Sequence, residues 1–158
     1  MPPSHQRFEQ GNPVSVELTV LCEGYWVQIC RTYSIGEASP YQKRSFKACL
    51  QAYQSALDLA RPGDLARAAI GVLRTSGFEG SVKYGLGHGV GLDLPEPYEV
   101  EIRSQEFLPD RMVLMVHVGA WAANGQAAAF VGGPFCKAKC LQVELGELVK
   151  IAQFFKHP

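Results

Sequence analysis

The sequence predicts mixed α and β structure, a hairpin followed by a helix pair and then more strand, on three observations. Residues 13–34 alternate with period two on either side of a glycine turn. Residues 39–77 repeat apolar side chains at helical spacing, broken once at Pro62-Gly63. Between residues 85 and 97 both periods give way to a glycine-rich run that carries a single histidine, His88.

In the hairpin, Val14, Val16, Leu18 and Val20 fall on one face and Ser15, Glu17 and Thr19 on the other. Glu23-Gly24 marks the turn, and Tyr25 to Ser34 returns with Tyr25, Val27 and Ile29 on one parity and Gln28, Cys30 and Thr32 on the other. A turn centred between Cys22 and Glu23 puts Glu17 opposite Gln28; one centred on Glu23-Gly24 shifts the pair by two residues. In both cases Glu17 and Gln28 share a face. Ser39-Pro40 starts a helix in which Phe46, Cys49, Leu50, Tyr53, Leu57 and Ala60 recur until Pro62-Gly63. Asp64 is expected to cap a second helix through Leu65, Ala68, Ala69 and Leu73 toward Gly77. Met112 to Val118 is an apolar strand interrupted by His117, Ala120 to Gly133 a loosely structured stretch of small residues, and Cys140 to Val143 a third strand. A short helix over Glu147 to Phe155 closes the chain.

With 158 residues the chain is the size of one domain with a substantial core. Lys plus Arg and Asp plus Glu are equal at 15 each, so no basic field gathers nucleic acid and no polybasic segment holds a membrane. The N-terminus carries no apolar stretch of signal length and no window reaches the span of a membrane helix, which predicts a cytoplasmic protein. Five cysteines, Cys22, Cys30, Cys49, Cys136 and Cys140, are odd in number and scattered, as reduced structural thiols are.

Four glycines at 85, 87, 89 and 91 free the backbone for close approach, though local composition alone fits a turn with a histidine in it equally well. The run Gly87-His88-Gly89-Val90-Gly91-Leu92 resembles the glycine-rich histidine signature of the pita-bread superfamily, which includes methionine aminopeptidases, Xaa-Pro peptidases and creatinase. Residues 9–18, 24–36, 60–73 and 108–121 are similar in order to further motifs of that superfamily. The resemblance implies an α+β fold: one creatinase/aminopeptidase-like domain over residues 1–158, an antiparallel sheet backed by helices into a cradle. Family domains begin with a further helix pair and strand before the segment matching Val14 to Leu18, so an N-terminally incomplete domain is expected.

The same resemblance implies a site in which two Asp, one His and two Glu bridge two divalent metals, because such cations need several anionic oxygens. Carried over residue by residue, the first Asp falls on Glu17, the bridging second Asp on neutral Gln28, the histidine on His88 and the first Glu on His117. For the last Glu there is no Asp or Glu from Arg111 to Val143, and a second histidine of the family falls on Pro95. Creatinase, a metal-free relative, uses glutamates where Cys30 and His117 stand here, so its mechanism does not transfer either. What the resemblance implies is an Xaa-Pro peptidase-like protein with a degraded dinuclear site, not an active metallopeptidase, without a cofactor, binding a peptide or small ligand in the family cleft. Gln28, Cys30, Arg31 and Glu96 are expected to line that cleft. The alternative is a hydrolase of altered chemistry with His88, His117 and Glu17 as catalytic groups, metal-free or holding a single Zn²⁺ or Fe²⁺.

Read without the resemblance, His117 is a hydrogen-bonded histidine within a strand, Glu17 a solvated carboxylate paired with Arg31, and Asp93 and Glu96 are loop residues. Cys30 is a nucleophile only if something lowers its pKa. An uncovered apolar face on the hairpin or the first helix predicts a C₂ homodimer, or a missing N-terminal partner segment.

Overall fold

The computed structural model describes residues 5, 7–57, 59, 61–78, 85–109, 112–121 and 127–136. Strands β1 (Pro13–Cys22) and β2 (Tyr25–Ser34) form the hairpin, helices α1 (Pro40–Ala56) and α2 (Pro62–Thr75) follow, and β3 (Gly87–Gly89), β4 (Val113–Trp121) and β5 (Ala127–Cys136) complete one sheet. Its order is β1-β2-β5-β4-β3, with every neighbour antiparallel. This is the α+β architecture expected, an antiparallel sheet backed by a helix pair.

The hairpin turn is centred on Glu23 and Gly24, both at positive φ, the geometry of a two-residue primed turn that matches strand twist. The register therefore sets Glu17 opposite Cys30 and Thr19 opposite Gln28. Helix α1 begins at a full capping box, Ser39 with Gln42, and ends at Ala56 rather than reaching Ala60. Its buried face is Ser45, Ala48, Cys49, Ala52, Tyr53 and Ala56, so Phe46 is turned outward. Small residues win that face because α1 lies close against α2 and β5, where a larger stripe would not fit. The N-cap of α2 is Arg61, not Asp64; the carboxylate lies in the first turn, paired with Arg67 and placed for the helix dipole. Gly77, at φ 79°, ends α2 in a Schellman arrangement, with Phe78 N–H donating to Leu73 C=O.

Strand β5 corrects the expectation of loose structure over Ala120 to Gly133. Its small residues are strand residues because neighbours on both sides leave no room: a Cβ on Gly132 would lie 2.7 Å from His117 Cβ, and one on Gly133 would lie 3.1 Å from the Tyr53 hydroxyl. The strand and helix expected at Cys140 to Val143 and Glu147 to Phe155 lie outside the described residues.

Two cores form, one on each face of the sheet. Between sheet and helices pack Leu65, Leu73, Leu114, Val116, Val118 and Val131 with the alanines of α1 and α2. On the opposite face Cys30, Val90 and Met115 form a smaller cluster, flanked by Trp26, Leu94, Val113 and Phe130. Among the described residues no helix is long and apolar enough to cross a membrane.

Candidate functional site

The site residues lie on the face of the sheet away from the helices, and the register explains how. Glu17 pairs with Cys30, Cys30 with Gly132, and Gly132 with His117, so one row crosses four strands. Cross-strand partners share a face. The neighbouring row brings in Thr19 and Gln28 on the hairpin and Met115 and His88 on the other side.

At the hairpin end, Gln28 Nε2 donates to the Glu17 carboxylate and reaches the Thr19 hydroxyl at 3.4 Å. The Cys30 thiol also hydrogen-bonds to Glu17, and burial, followed by the Glu17 charge, pushes its pKa up to about 12. A thiol so held is protonated at neutral pH, which removes the nucleophile role. Gln28 is only 6% exposed, and its Oε1 has no hydrogen-bond partner among the described residues.

At the other end, His88 Nδ1 lies 2.8 Å from Gly89 O; a carbonyl only accepts, so this nitrogen carries a proton. The His88 and His117 rings sit 5.8 Å apart, edge to face, and Phe130 lies 5.5 Å from His117 on its other side. Burial, then the neighbouring His88, lowers the His117 pKa to about 4.

Two of the expected cleft residues lie elsewhere. Arg31 pairs with Val16 on the opposite parity, so its side chain leaves toward the helix layer, where Nη1 donates to Cys30 O at 2.7 Å and Gly132 O at 2.6 Å. Glu96 turns its carboxylate onto its own loop, accepting from Leu92 N at 2.6 Å and Asp93 N at 3.2 Å. Short-range amide donors outcompete the cleft for that carboxylate.

Among the described residues, the donors that the resemblance assigns are not gathered as a bridged metal pair would need. Among the described residues no three His, Cys, Asp or Glu side chains gather as a metal would require. Glu17, His88 and His117 share a face, yet β2 and β5 separate Glu17 from His117, with the side-chain-free Gly132 between. Glu17 is engaged by an amide and a thiol, and Gln28 supplies no negative charge where a bridging ligand is needed. Four participants were not legible in the sequence. Gly132 fills the row, Thr32 links the hairpin to β5 through Phe130 N at 2.7 Å and Phe130 O at 2.9 Å, and Met115 with Val90 packs apolar bulk beside the polar row. The Gly132-Gly133 pair was the available signal, since paired glycines in a strand mark close approach.

Comparison with known proteins places this arrangement. The chain is 30% identical over 122 residues to the Xaa-Pro dipeptidase of Pyrococcus horikoshii, covering 75% of this chain and 35% of that protein. It is 27% identical over 123 residues to a putative dipeptidase of Bacillus subtilis, covering 75% and 34%. The chain thus spans about a third of the length of the curated relatives it matches. Among solved structures, dipeptidase PepE of Mycobacterium ulcerans superposes with TM-score 0.76 at 25% identity over 83% of this chain and 36% of that one. The methionine aminopeptidase of Thermotoga maritima shares the fold with TM-score 0.68 at 18% identity, over 85% of this chain and 62% of that one. These neighbours give the sheet and helix pair their pita-bread architecture. The model of metallopeptidase family M24 matches residues 1–149, and the chain belongs to that family.

Proposed function

We propose that this chain is an M24 member whose site no longer performs two-metal hydrolysis and instead binds a peptide or small ligand against the face of Glu17, Gln28, His88 and His117. One observation carries the proposal: neutral Gln28 donates its amide to Glu17 where the family needs a bridging carboxylate. A site that satisfies its own carboxylate internally has no need of a dication to neutralise it. The relatives named as Xaa-Pro dipeptidase and putative dipeptidase make a short peptide the ligand class to try first.

The test is metal content after dialysis against Mn²⁺, Co²⁺ or Zn²⁺, together with calorimetry and turnover assays on an Ala-Pro dipeptide. Binding that needs no metal, is lost in His88→Ala and is not followed by cleavage is expected. Two metal equivalents with dipeptide turnover would overturn the proposal. One equivalent that disappears in His88→Ala would favour the hydrolase of altered chemistry instead.

A further inference from the structure

His88 stands on a strand that does little to hold it. Strand β3 is Gly87-His88-Gly89, so glycine backbone flanks the histidine on both sides and lends its position no stiffness. On one edge β4 braces it through His88↔Met115. The other edge is braced by residues 96–100, where Glu96 N donates to Gly89 O at 2.8 Å and Val100 N to Gly87 O at 2.9 Å. Gly89 O accepts a second time, from His88 Nδ1, also at 2.8 Å. One carbonyl thus receives both the imidazole of the site and the main chain of Glu96.

The local sequence makes Glu96 the anchor of that brace. Pro95 and Pro97 carry no amide hydrogen, so Glu96 supplies the only main-chain donor of the triplet. A residue before proline is held extended, which is the conformation a bridge to Gly89 requires. The Glu96 side chain then turns back over its loop, where Oε1 accepts from Leu92 N at 2.6 Å and Asp93 N at 3.2 Å. Bonds from amides to a carboxylate are charge-assisted and stronger than neutral ones. Gly91 N donates to Asp93 O at 3.3 Å and closes the turn between them. Two glycines of the run are there to admit this fold-back: a Cβ on Gly89 would lie 2.9 Å from Glu96 Cβ, and one on Gly91 3.0 Å from Glu96 Oε1. The loop is also tied to the hairpin, since Trp26 N donates to Gly91 O at 2.6 Å, on the strand that carries Gln28 and Cys30.

We propose that Glu96 is a positioning residue of the site: its carboxylate locks the 89–96 loop, the loop fixes Gly89 O, and Gly89 O sets the orientation and protonation of His88. This rests on the reading of the face as a ligand site, and it gives Glu96 no contact with the ligand. Because the same loop is bonded to Trp26, the lock also sets the spacing between His88 and the hairpin half of the site. Holding a binding histidine through the partner of its ring nitrogen, and that partner through a further hydrogen bond, is how such side chains are kept in one geometry.

The experiment reads which ring nitrogen of His88 carries the proton, by nitrogen NMR of the full chain at about pH 9, above the ordinary imidazole range. The unmodified chain should show His88 protonated at Nδ1. Glu96→Ala should populate the other tautomer as well, and should weaken binding of the Ala-Pro dipeptide in calorimetry by about 10-fold. Glu96→Gln keeps an acceptor oxygen at the same reach and should retain both the tautomer and most of the affinity. Glu96→Asp, which draws the carboxylate back by one methylene, should show the same loss in milder form and serves if the alanine variant does not fold. Leu73→Ala lowers stability from the core between sheet and helices and should leave the His88 signals unchanged. An Nδ1 signature that survives both Glu96→Ala and Glu96→Asp would overturn the proposal. So would a glutamine variant that behaves like alanine, or a Leu73→Ala variant that disturbs His88 as much as Glu96→Ala does. If the unmodified chain binds no dipeptide, the proposed ligand falls, while the nitrogen signals still decide whether Glu96 sets His88.

Discussion

The two halves of the sheet differ in how they are supported. In β4, Leu114, Val116 and Val118 are buried under α1 and α2, and the outer edge is closed by β3. In the hairpin, the residues of the same face stand open, and the outer edge of β1 has no strand beside it among the described residues. Identical local structure thus has different worth, because strand stability comes from what covers the strand rather than from its own ladder. The polar site straddles both halves: Glu17, Gln28 and Cys30 belong to the open one, His88 and His117 to the covered one.

The sharpest break of this contrast is a pair of identical truncations. Leu114→Ala, in the covered half, should cost about 3 to 4 kcal/mol of unfolding free energy, and Leu18→Ala in the hairpin about 1 kcal/mol or less at concentrations where the chain is monomeric. Urea titration of both variants checks it, and equal costs would erase the distinction. Next comes Gln28→Glu, which buries a second carboxylate against Glu17. It should destabilise the fold by about 2 to 3 kcal/mol at pH 8, with the loss recovered on acidification as the pair takes up a proton. Denaturant midpoints between pH 8 and 5 would reveal that recovery.

On the covered side, His117 should tie stability to acid. Its folded pKa of about 4 lies below the ordinary 6.5, so in that window the unfolded chain binds the extra proton. Stability from this residue is complete above pH 6.5 and falls as pH drops toward 4, by as much as about 3 kcal/mol at about 1.4 kcal/mol per pH unit. A His117→Asn variant whose stability shows the same slope there would sink this attribution. The smallest effect is expected at the join between halves. Thr32→Val removes the hydroxyl that serves both Phe130 N and Phe130 O, and should cost about 1 to 2 kcal/mol in chemical denaturation.

How much can be read from residues alone follows the same division. The hairpin alternates cleanly because one of its faces is polar, and the turn residues Glu23-Gly24 fix where it folds back. Ser39-Pro40 locates helix α1, but its apolar pattern misplaces the buried face, because alanines pack where larger residues look like the better core. Strand β5 escapes the sequence for the same reason: Ala129, Gly132 and Gly133 carry no apolar signal when what selects them is lack of room. Within the site, the resemblance to family motifs places Glu17, Gln28, His88 and His117 on one face, as the register does. It cannot reveal that Arg31 and Glu96 find nearer partners in backbone carbonyls and amides, since such short-range competition depends on coordinates.

Among the described residues, one registered backbone pair, Cys30↔Gly132, joins β2 to β5, and the Thr32 hydroxyl and the Arg31 guanidinium carry the rest of that border. A ladder of main-chain bonds opens only when several residues move together, whereas a border stitched by side chains can open a single stitch at a time. The molecule therefore has a built-in line of tearing. Amide protons along it, that of Phe130 foremost, should exchange with deuterium well ahead of those in the β4–β5 ladder, at a rate set by side-chain rotation rather than by global unfolding.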